Sequence, residues 1–261
     1  MKIILLTGLD GSGKSLLLNK LESISTTKHI AFIRLPKIDS ELFKHNPSLY
    51  KTILFINKMH IDADYLKKPP LKVVALFSAM LVFKKLLNEL DKNNTKLVFC
   101  ERHPLIDTGV YAKFYIGKMD PATLEPNIVN SIDSNFTKEI YFLLKLIGIE
   151  QKLDKPFYTL LNYIHEWFSI NKKHELTDLK ELFKLNLPDK IFYLSASAKI
   201  LMERIKTRQV IEAHESIETF KKLIPVYENV LQHIGMDTTI VDANTYLNLD
   251  QFFEELKRIY F

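Results

Sequence analysis

A glycine-rich motif near the start of the chain constrains the fold more than any other feature of the sequence. Residues 8–15 have the sequence GLDGSGKS and fit the pattern G-x-x-x-x-G-K-[ST] at every fixed position. The apolar run Ile3–Thr7 precedes the motif, and the run Leu16–Leu21, typical of a helix start, follows it. In a strand–turn–helix of this kind, backbone N–H groups and the helix N-terminus converge on phosphate oxygens. The motif therefore predicts a nucleoside triphosphate site.

The motif also assigns chemical roles to its side chains. We expect Lys14 to reach the β- and γ-phosphates of ATP and the Ser15 hydroxyl to bind Mg²⁺. The alternative is a glycine-rich turn that only joins a strand to a helix. The residues predicted to surround the ATP phosphates are Gly8, Asp10, Gly11, Ser12, Gly13, Lys14 and Ser15.

Composition excludes several classes of protein. Of the 261 residues, 47% are hydrophobic, which is enough for a core, and the single cysteine, Cys100, excludes an internal disulfide and a cysteine-based zinc site. The N-terminus does not resemble a signal peptide. The longest other apolar run, Val73–Phe83, is too short to cross a bilayer. We therefore expect a cytoplasmic protein that does not interact with membranes.

The positive charge of the chain suits a small anionic ligand better than nucleic acid. The formal net charge is +5, but the lysines are spread along the whole chain without a block of like charges. A modest surplus of basic residues equally suits an enzyme that handles polyphosphates. We do not expect nucleic-acid binding to be the main role.

Strands and helices alternate along most of the sequence, which predicts an α/β fold with a five-stranded parallel sheet flanked by helices. We expect one domain, 1–261, with a core of residues 1–112 and 188–261. Residues 113–187 break the alternation and predict a helical insertion whose aromatic side chains pack among themselves and onto the core. The predicted strands are Lys2–Thr7, His29–Leu35, Lys96–Cys100, Lys190–Leu194 and Thr238–Val241, and the predicted helices are Ser15–Ser23, Leu71–Asp91, Ala198–Arg208, Ile217–Ile234 and Leu249–Ile259.

An acid and a base follow the third predicted strand. Glu101 and Arg102 come directly after the apolar run that ends at Cys100. Because ligands bind at the carboxyl ends of parallel strands, we expect Glu101 to hold Mg²⁺, directly or through water. Arg102 would present its planar guanidinium to a phosphate. The alternative is a surface salt bridge at a strand end.

Several short segments, in order along the chain, resemble the thymidylate kinase family. The segments outside the glycine motif are each of low specificity, but their order and spacing strengthen the resemblance. The first three match the family's phosphate loop with its acid, here Asp10, an Arg-x-Pro after the second strand, and a helix segment whose Phe stacks on the acceptor base. The later ones match an Asp-Arg-[Tyr/His] signature with a following aromatic residue, the lid, and the last strand with its loop. The segments are residues 8–15, Arg34–Pro36, Leu76–Ala79, Glu101–His103, Tyr111, Leu201–Arg208 and Ile240–Asn244.

The resemblance implies a P-loop kinase fold and an enzyme of nucleotide biosynthesis that transfers a phosphoryl group from ATP, with Mg²⁺, to a nucleoside monophosphate. It also implies a homodimer, formed through the helix that corresponds to Leu71–Asp91. The implied catalytic residues are Lys14, Glu101, Arg102 and Arg204. The implied ATP contacts outside the glycine motif are Arg204, Arg208, Asp242 and Ala243. The implied acceptor contacts are Asp10, Arg34, Pro36, Phe77, Arg102 and Tyr111.

Three departures from the family pattern fall on the acceptor side and leave the acceptor open. Leu81 takes the place of an arginine that recognises the pyrimidine, Lys37 and Ile38 stand where a second arginine often follows, and Glu101 replaces an aspartate. One alternative is a deoxynucleoside kinase in which Glu101 takes a proton from a hydroxyl. Another is a degenerate scaffold that binds nucleotide. A GTPase is disfavoured because the nearest match to Asn-Lys-x-Asp, Asn57–His60, lacks the acid.

Overall fold

The computed structural model describes residues 1–116, 120–170, 175–207 and 215–261. Within them the protein is an α/β fold whose strands form one parallel sheet in the order β2-β3-β1-β4-β5. All five predicted strands are confirmed, with ends that differ from the predicted ones by no more than two residues. They are β1 (Lys2–Thr7), β2 (Ile30–Ile33), β3 (Leu97–Cys100), β4 (Lys190–Ser195) and β5 (Thr238–Asp242).

The central strand β1 is buried because both of its edges are paired and both sheet faces are covered. Ile3 is in register with Val98 of β3, and Leu5 is in register with Ile191 of β4. Leu5 and Leu6, which point to opposite faces, are both fully buried. A parallel strand covered on both faces carries a continuous apolar run, which is why this segment was recognisable from sequence.

Helices fill the intervals between the strands. The five predicted helices are present with shifts of up to three residues at their ends, and the third, predicted as Ala198–Arg208, ends at Ile205. A long helix after the second strand, α2, was not predicted. The helices are α1 (Lys14–Ile24), α2 (Pro47–Leu66), α3 (Pro69–Lys92), α4 (Pro104–Ile116), α5 (Pro126–Leu146), α6 (Pro156–Ile170), α7 (Leu176–Phe183), α8 (Ala198–Ile205), α9 (Ile217–His233) and α10 (Tyr246–Tyr260).

The chain divides into two compact units. Unit 1 comprises Met1–Ile33, Asn93–Ile106 and Leu187–Phe261, and it contains the whole sheet with α1, α8, α9 and α10. Unit 2 comprises Arg34–Lys92 and Asp107–Asn186 and is helical. The predicted division into a core and an insertion at 113–187 stays a prediction.

Each unit has its own apolar core. In unit 1, stacked rings of Tyr193 and Tyr227 lie 5.4 Å apart between centroids, and both side chains are buried. In unit 2, α2 packs along α3, and Ile53, Ile56 and Met59 of α2 are fully buried. In the part of the chain that the structure describes, no helix combines the length and the apolar character needed to cross a membrane.

Candidate functional site

The glycine motif forms a tight loop between β1 and α1, as the sequence predicts. Gly8, Gly11 and Gly13 have φ angles of 146°, 85° and 102°. Backbone φ values in this range are strained for residues with a Cβ. The Ser12 N–H donates to the Leu9 carbonyl at 3.1 Å and closes the turn.

Two of the loop glycines also allow neighbouring helices to approach closely. A Cβ on Gly11 would lie 2.8 Å from the carbonyl oxygen of Leu201 on α8. A Cβ on Gly13 would lie 2.7 Å from Cδ1 of Leu249 on α10. The loop is therefore held against both helices at positions where no side chain fits.

The N-terminus of α1 has no side-chain cap. Its N-cap residue is Gly13, and the first turn contains no acidic residue. Three other helices of unit 1 are capped by a hydroxyl that accepts a backbone N–H: Ser197 for α8, Ser216 for α9 and Thr245 for α10. Because the first N–H groups of a helix lack intrahelical acceptors and carry partial positive charge, the α1 N-terminus suits an anionic ligand.

Lys14 and Arg102 bring positive charge to this loop. The Lys14 side chain is 4% exposed, and its Nζ donates to the Leu9 carbonyl at 2.9 Å and lies 3.9 Å from Asp10 Oδ1. Arg102 Nη2 donates to Asp10 Oδ1 at 2.9 Å. Asp10 thus lies between two cations, so a carboxylate next to the predicted phosphate position is compensated by charge.

Ser15 and Glu101 supply oxygen ligands on the neighbouring side of the loop. Ser15 Oγ lies 3.2 Å from Glu101 Oε1 and 3.1 Å from Oε2. A hydroxyl and a carboxylate this close together fit Mg²⁺, which is usually held by one or two protein oxygens together with waters and substrate phosphates. Within the described residues no group of three or more His, Cys, Asp or Glu side chains could hold a metal, so an ion here would need ligands from a bound phosphate and water.

Asp10, Lys14, Ser15 and Glu101 line one pocket of about 290 Å³ in unit 1, whereas the predicted catalytic residue Arg102 is not among its lining residues. Ser12 is buried in the loop, and its Oγ has no hydrogen-bond partner among the described residues. Two lining residues, Leu16 and Tyr246, were not predicted. The lining residues are Asp10, Gly11, Gly13, Lys14, Ser15, Leu16, Glu101, Arg204 and Tyr246.

Arg204 reaches the glycine loop from α8. Its Nη1 donates to the Gly11 carbonyl at 3.3 Å, and its guanidinium carbon lies 4.7 Å from the centre of the Tyr246 ring. This geometry is that of a cation–π contact. Arg208, the second predicted cation of the lid, lies outside the described residues.

Asp242, the last residue of β5, and Ala243, the first residue of the turn after it, are the predicted contacts to the donor base. Asp242 Oδ1 accepts the Asn244 N–H at 2.9 Å, and Oδ2 accepts Asn248 Nδ2 at 2.8 Å. The backbone hydrogen bond from Asn244, followed by that from its side chain, lowers the pKa of Asp242 below its ordinary value. Ala243 is fully buried, and its N–H donates to the Ser195 carbonyl. Both residues thus fix the shape of this turn, and their contact with a base stays a prediction.

His103 follows Arg102 and is fully buried. Its Nδ1 accepts the Leu105 N–H at 3.3 Å. Burial disfavours the charged imidazolium and lowers the pKa of His103 to about 3. The imidazole is therefore neutral at physiological pH and positions the backbone that leaves β3.

The predicted acceptor residues Arg34, Pro36, Phe77 and Tyr111 belong to unit 2. Phe77 is 2% exposed, and its ring is surrounded by aromatic side chains of α6 and α7. Tyr111 is buried, and Pro36, which follows a cis peptide bond, is buried as well. The rings that contact Phe77 are those of Tyr163, Trp167, Phe168 and Phe183, with centroid distances of 5.7–6.4 Å.

The ring contacts of Phe77 and the contact between Trp167 and Phe168 confirm that aromatic residues of 113–187 pack among themselves and onto α3, a helix of the predicted core. Leu81, one turn further along α3, is only 5% exposed. An arginine at position 81 would therefore be buried in this helical layer, at a substantial cost unless it is paired. The role of Phe77 in binding an acceptor stays a prediction.

No protein-family model matches the chain, and no curated protein is significantly similar to it. The resemblance to thymidylate kinases accordingly stays an expectation from short motifs. The charged and hydroxyl side chains that line the pocket in unit 1 are therefore the basis for a function.

Proposed function

We propose that the protein is an ATP-dependent phosphotransferase of the P-loop kinase class that phosphorylates a nucleoside monophosphate, similar to thymidylate kinases. One observation carries the proposal. The buried Lys14, the uncapped N-terminus of α1 and the Ser15–Glu101 oxygen pair all border the same pocket. Cationic and hydrogen-bond donor groups for a phosphate chain thus lie beside oxygen ligands for a divalent cation.

The donor phosphates would lie at the N-terminus of α1. The Lys14 ammonium and the loop N–H groups would stabilise the charge that develops on the transferring group. Mg²⁺, held through Ser15 and Glu101, would supply further neutralisation of the phosphate oxygens. Arg204 would contact the same phosphates, and its hydrogen bond to the Gly11 carbonyl supports this role.

The reaction itself is a displacement at phosphorus. A phosphate oxygen of the acceptor forms a bond to the γ-phosphorus of ATP, and the bond to the β–γ bridging oxygen breaks. ADP leaves with that electron pair, and the acceptor becomes a nucleoside diphosphate. Because an acceptor phosphate is already an anion at neutral pH, alignment and charge stabilisation suffice without a strong base.

A nucleoside acceptor is the second candidate, and the position of Glu101 favours it. A hydroxyl nucleophile must lose a proton, and the Glu101 carboxylate lines the pocket at the end of β3. The two candidates differ in what Glu101 does: it binds Mg²⁺ in the first and also accepts a proton in the second. A pure nucleotide-binding scaffold would need neither role.

A panel assay tests the proposal. The protein is incubated with Mg²⁺ and ATP together with each nucleoside or nucleoside monophosphate in turn, and release of ADP is followed. ADP release stimulated by a monophosphate supports the first candidate, and stimulation by a nucleoside supports the second. Binding of ATP without stimulation by any acceptor would favour the scaffold. The predicted homodimer and the cytoplasmic location stay predictions.

A further inference from the structure

Tyr246 is a pocket residue to which neither the motif nor the family resemblance gives a role. It is the first residue of α10, and its side chain is 61% exposed. An exposed aromatic ring contributes little to the stability of a core. Among the residues that the structure describes, the guanidinium of its neighbour Arg204 makes one hydrogen bond, a long one of 3.3 Å to the Gly11 carbonyl. The ring is thus the second contact that orients this arginine.

The backbone that carries Tyr246 is held firmly. The Thr245 hydroxyl accepts the Asn248 N–H at 3.1 Å and caps α10. Asn244 Oδ1 accepts the Ser197 N–H at 2.9 Å, which ties the start of α10 to the start of α8. The helix that carries the arginine and the helix that carries the ring are therefore fixed to each other at their N-termini.

We propose that Tyr246 is a positioning residue that holds the Arg204 guanidinium over the glycine loop, where it binds the phosphate chain of the donor. This inference rests on the proposed function. A free arginine side chain samples many rotamers, and holding it in its bound position lowers the entropy lost when phosphate binds. Because Tyr246 acts through Arg204, its effect is on the phosphates and not on the base.

A ligand without a base tests this assignment. Inorganic tripolyphosphate with Mg²⁺ carries the phosphate chain of ATP alone, and calorimetry gives its affinity for the wild-type protein. We expect Tyr246→Ala to weaken tripolyphosphate and a non-hydrolysable ATP analogue by the same factor, about fivefold. Tyr246→Phe keeps the ring and should retain the wild-type affinity for both ligands. Tyr65→Ala, which removes an 83% exposed tyrosine of unit 2, is the matched control.

A double-mutant cycle with Arg204→Ala supplies a second readout. If Tyr246 acts through Arg204, adding Tyr246→Ala to Arg204→Ala causes no further loss of affinity. Unfolding in urea checks that each variant is folded, since Tyr246 is exposed and its removal should leave stability unchanged within error.

The outcomes separate this inference from the proposed function. Wild-type protein that binds neither ligand would contradict the proposed function. If the wild type binds both, two results would overturn the inference alone. One is a loss of ATP analogue affinity with unchanged tripolyphosphate affinity, which would mean that the ring stacks on the base. The other is an equal loss in the wild-type and Arg204→Ala backgrounds.

Discussion

The two units place their candidate residues in opposite environments. In unit 1, charged and hydroxyl side chains surround a pocket at the carboxyl edge of the sheet, and loop glycines leave room for close contact. In unit 2, the most prominent candidate, Phe77, is enclosed by four other aromatic rings. The structure thus supports a binding role for the residues of unit 1 and a packing role for Phe77.

This difference shows which motif residues carry information about a site. A glycine motif fixes backbone conformation, so its residues form the same loop wherever the motif folds. A phenylalanine in an apolar helix fits a base-stacking role and a core role equally well. Four predictions, from the largest expected effect to the smallest, test the contrast.

The packing role of Phe77 predicts the largest change in stability. Phe77→Ala removes a fully enclosed ring and should lower the free energy of unfolding by about 3–5 kcal/mol. Urea denaturation measures this change. Binding of an ATP analogue to the folded fraction should be unchanged.

Tyr65→Ala is the control, because that ring is almost fully exposed. A Phe77→Ala protein of normal stability that fails to bind an acceptor would assign Phe77 to the acceptor site after all. The contrast between the two units would then no longer hold.

Lys14 should dominate the chemistry of unit 1. Lys14→Ala removes the buried ammonium beside the loop and should reduce turnover at least about a hundredfold, because charge on the transferring group is no longer stabilised. Steady-state kinetics with the acceptor found in the panel assay measures the effect. Lys20→Ala is the control, since Lys20 lies on the same helix and pairs with Asp250 on the surface. Near wild-type turnover of Lys14→Ala would show that Lys14 does not stabilise the transferring group.

The close approach of α8 to the glycine loop predicts an intermediate effect. Gly11→Ala combines an unfavourable positive φ with a clash against the Leu201 carbonyl, and should destabilise the protein by about 2 kcal/mol and weaken ATP analogue binding. Gly235→Ala is the control, because Gly235 has a φ of +65° and a Cβ added there would have no atom within 4 Å. It should cost about 1 kcal/mol and leave binding unchanged. Equal losses of stability and binding in both variants would mean that helix contact at Gly11 is unimportant.

The buried His103 predicts a pH dependence of stability. In the unfolded chain the imidazole pKa is about 6.5, and in the fold burial lowers the pKa of His103 to about 3. Between these pH values the unfolded chain binds a proton that the folded protein does not bind. The free energy of unfolding therefore falls as the pH falls, by up to about 1.4 kcal/mol per pH unit. Well above the unfolded-state pKa of about 6.5 both states are neutral and His103 contributes no pH dependence.

His103→Asn should flatten this part of the pH profile, because the amide oxygen can still accept the Leu105 N–H but does not titrate. Urea denaturation at several pH values between 4 and 7 measures the slope. Identical slopes for wild type and His103→Asn would show that His103 does not titrate as the structure predicts.

Much of unit 1 could be predicted because its signals are local. The strand ends at Thr7 and Cys100 follow from apolar runs that stop at a glycine and at an acid. The carboxyl ends of parallel strands share one sheet edge, so Lys14, Ser15 and Glu101 were expected to come together. The pairing of Arg102 with Asp10 was not predicted, because the sequence places an arginine at this sheet edge without indicating which acceptor its guanidinium takes.

The sequence of unit 2 contains weaker signals for its helices and for how they pack. The helix α2 was missed although Asn46, which caps it, and Pro47 at its first position are typical start signals. In α3, 16 of 24 residues are buried, so the helix has no clear polar face from which its neighbours could be inferred. Tyr246 was missed because a single exposed aromatic at a helix start carries no pattern.

Calorimetric titration of a non-hydrolysable ATP analogue with Mg²⁺ into wild-type and Lys14→Ala protein tests the central claim most directly. The account predicts one binding site per chain in the wild type and a large loss of affinity in the variant. No binding heat with folded wild-type protein at several temperatures, or equal affinity in both proteins, would contradict it.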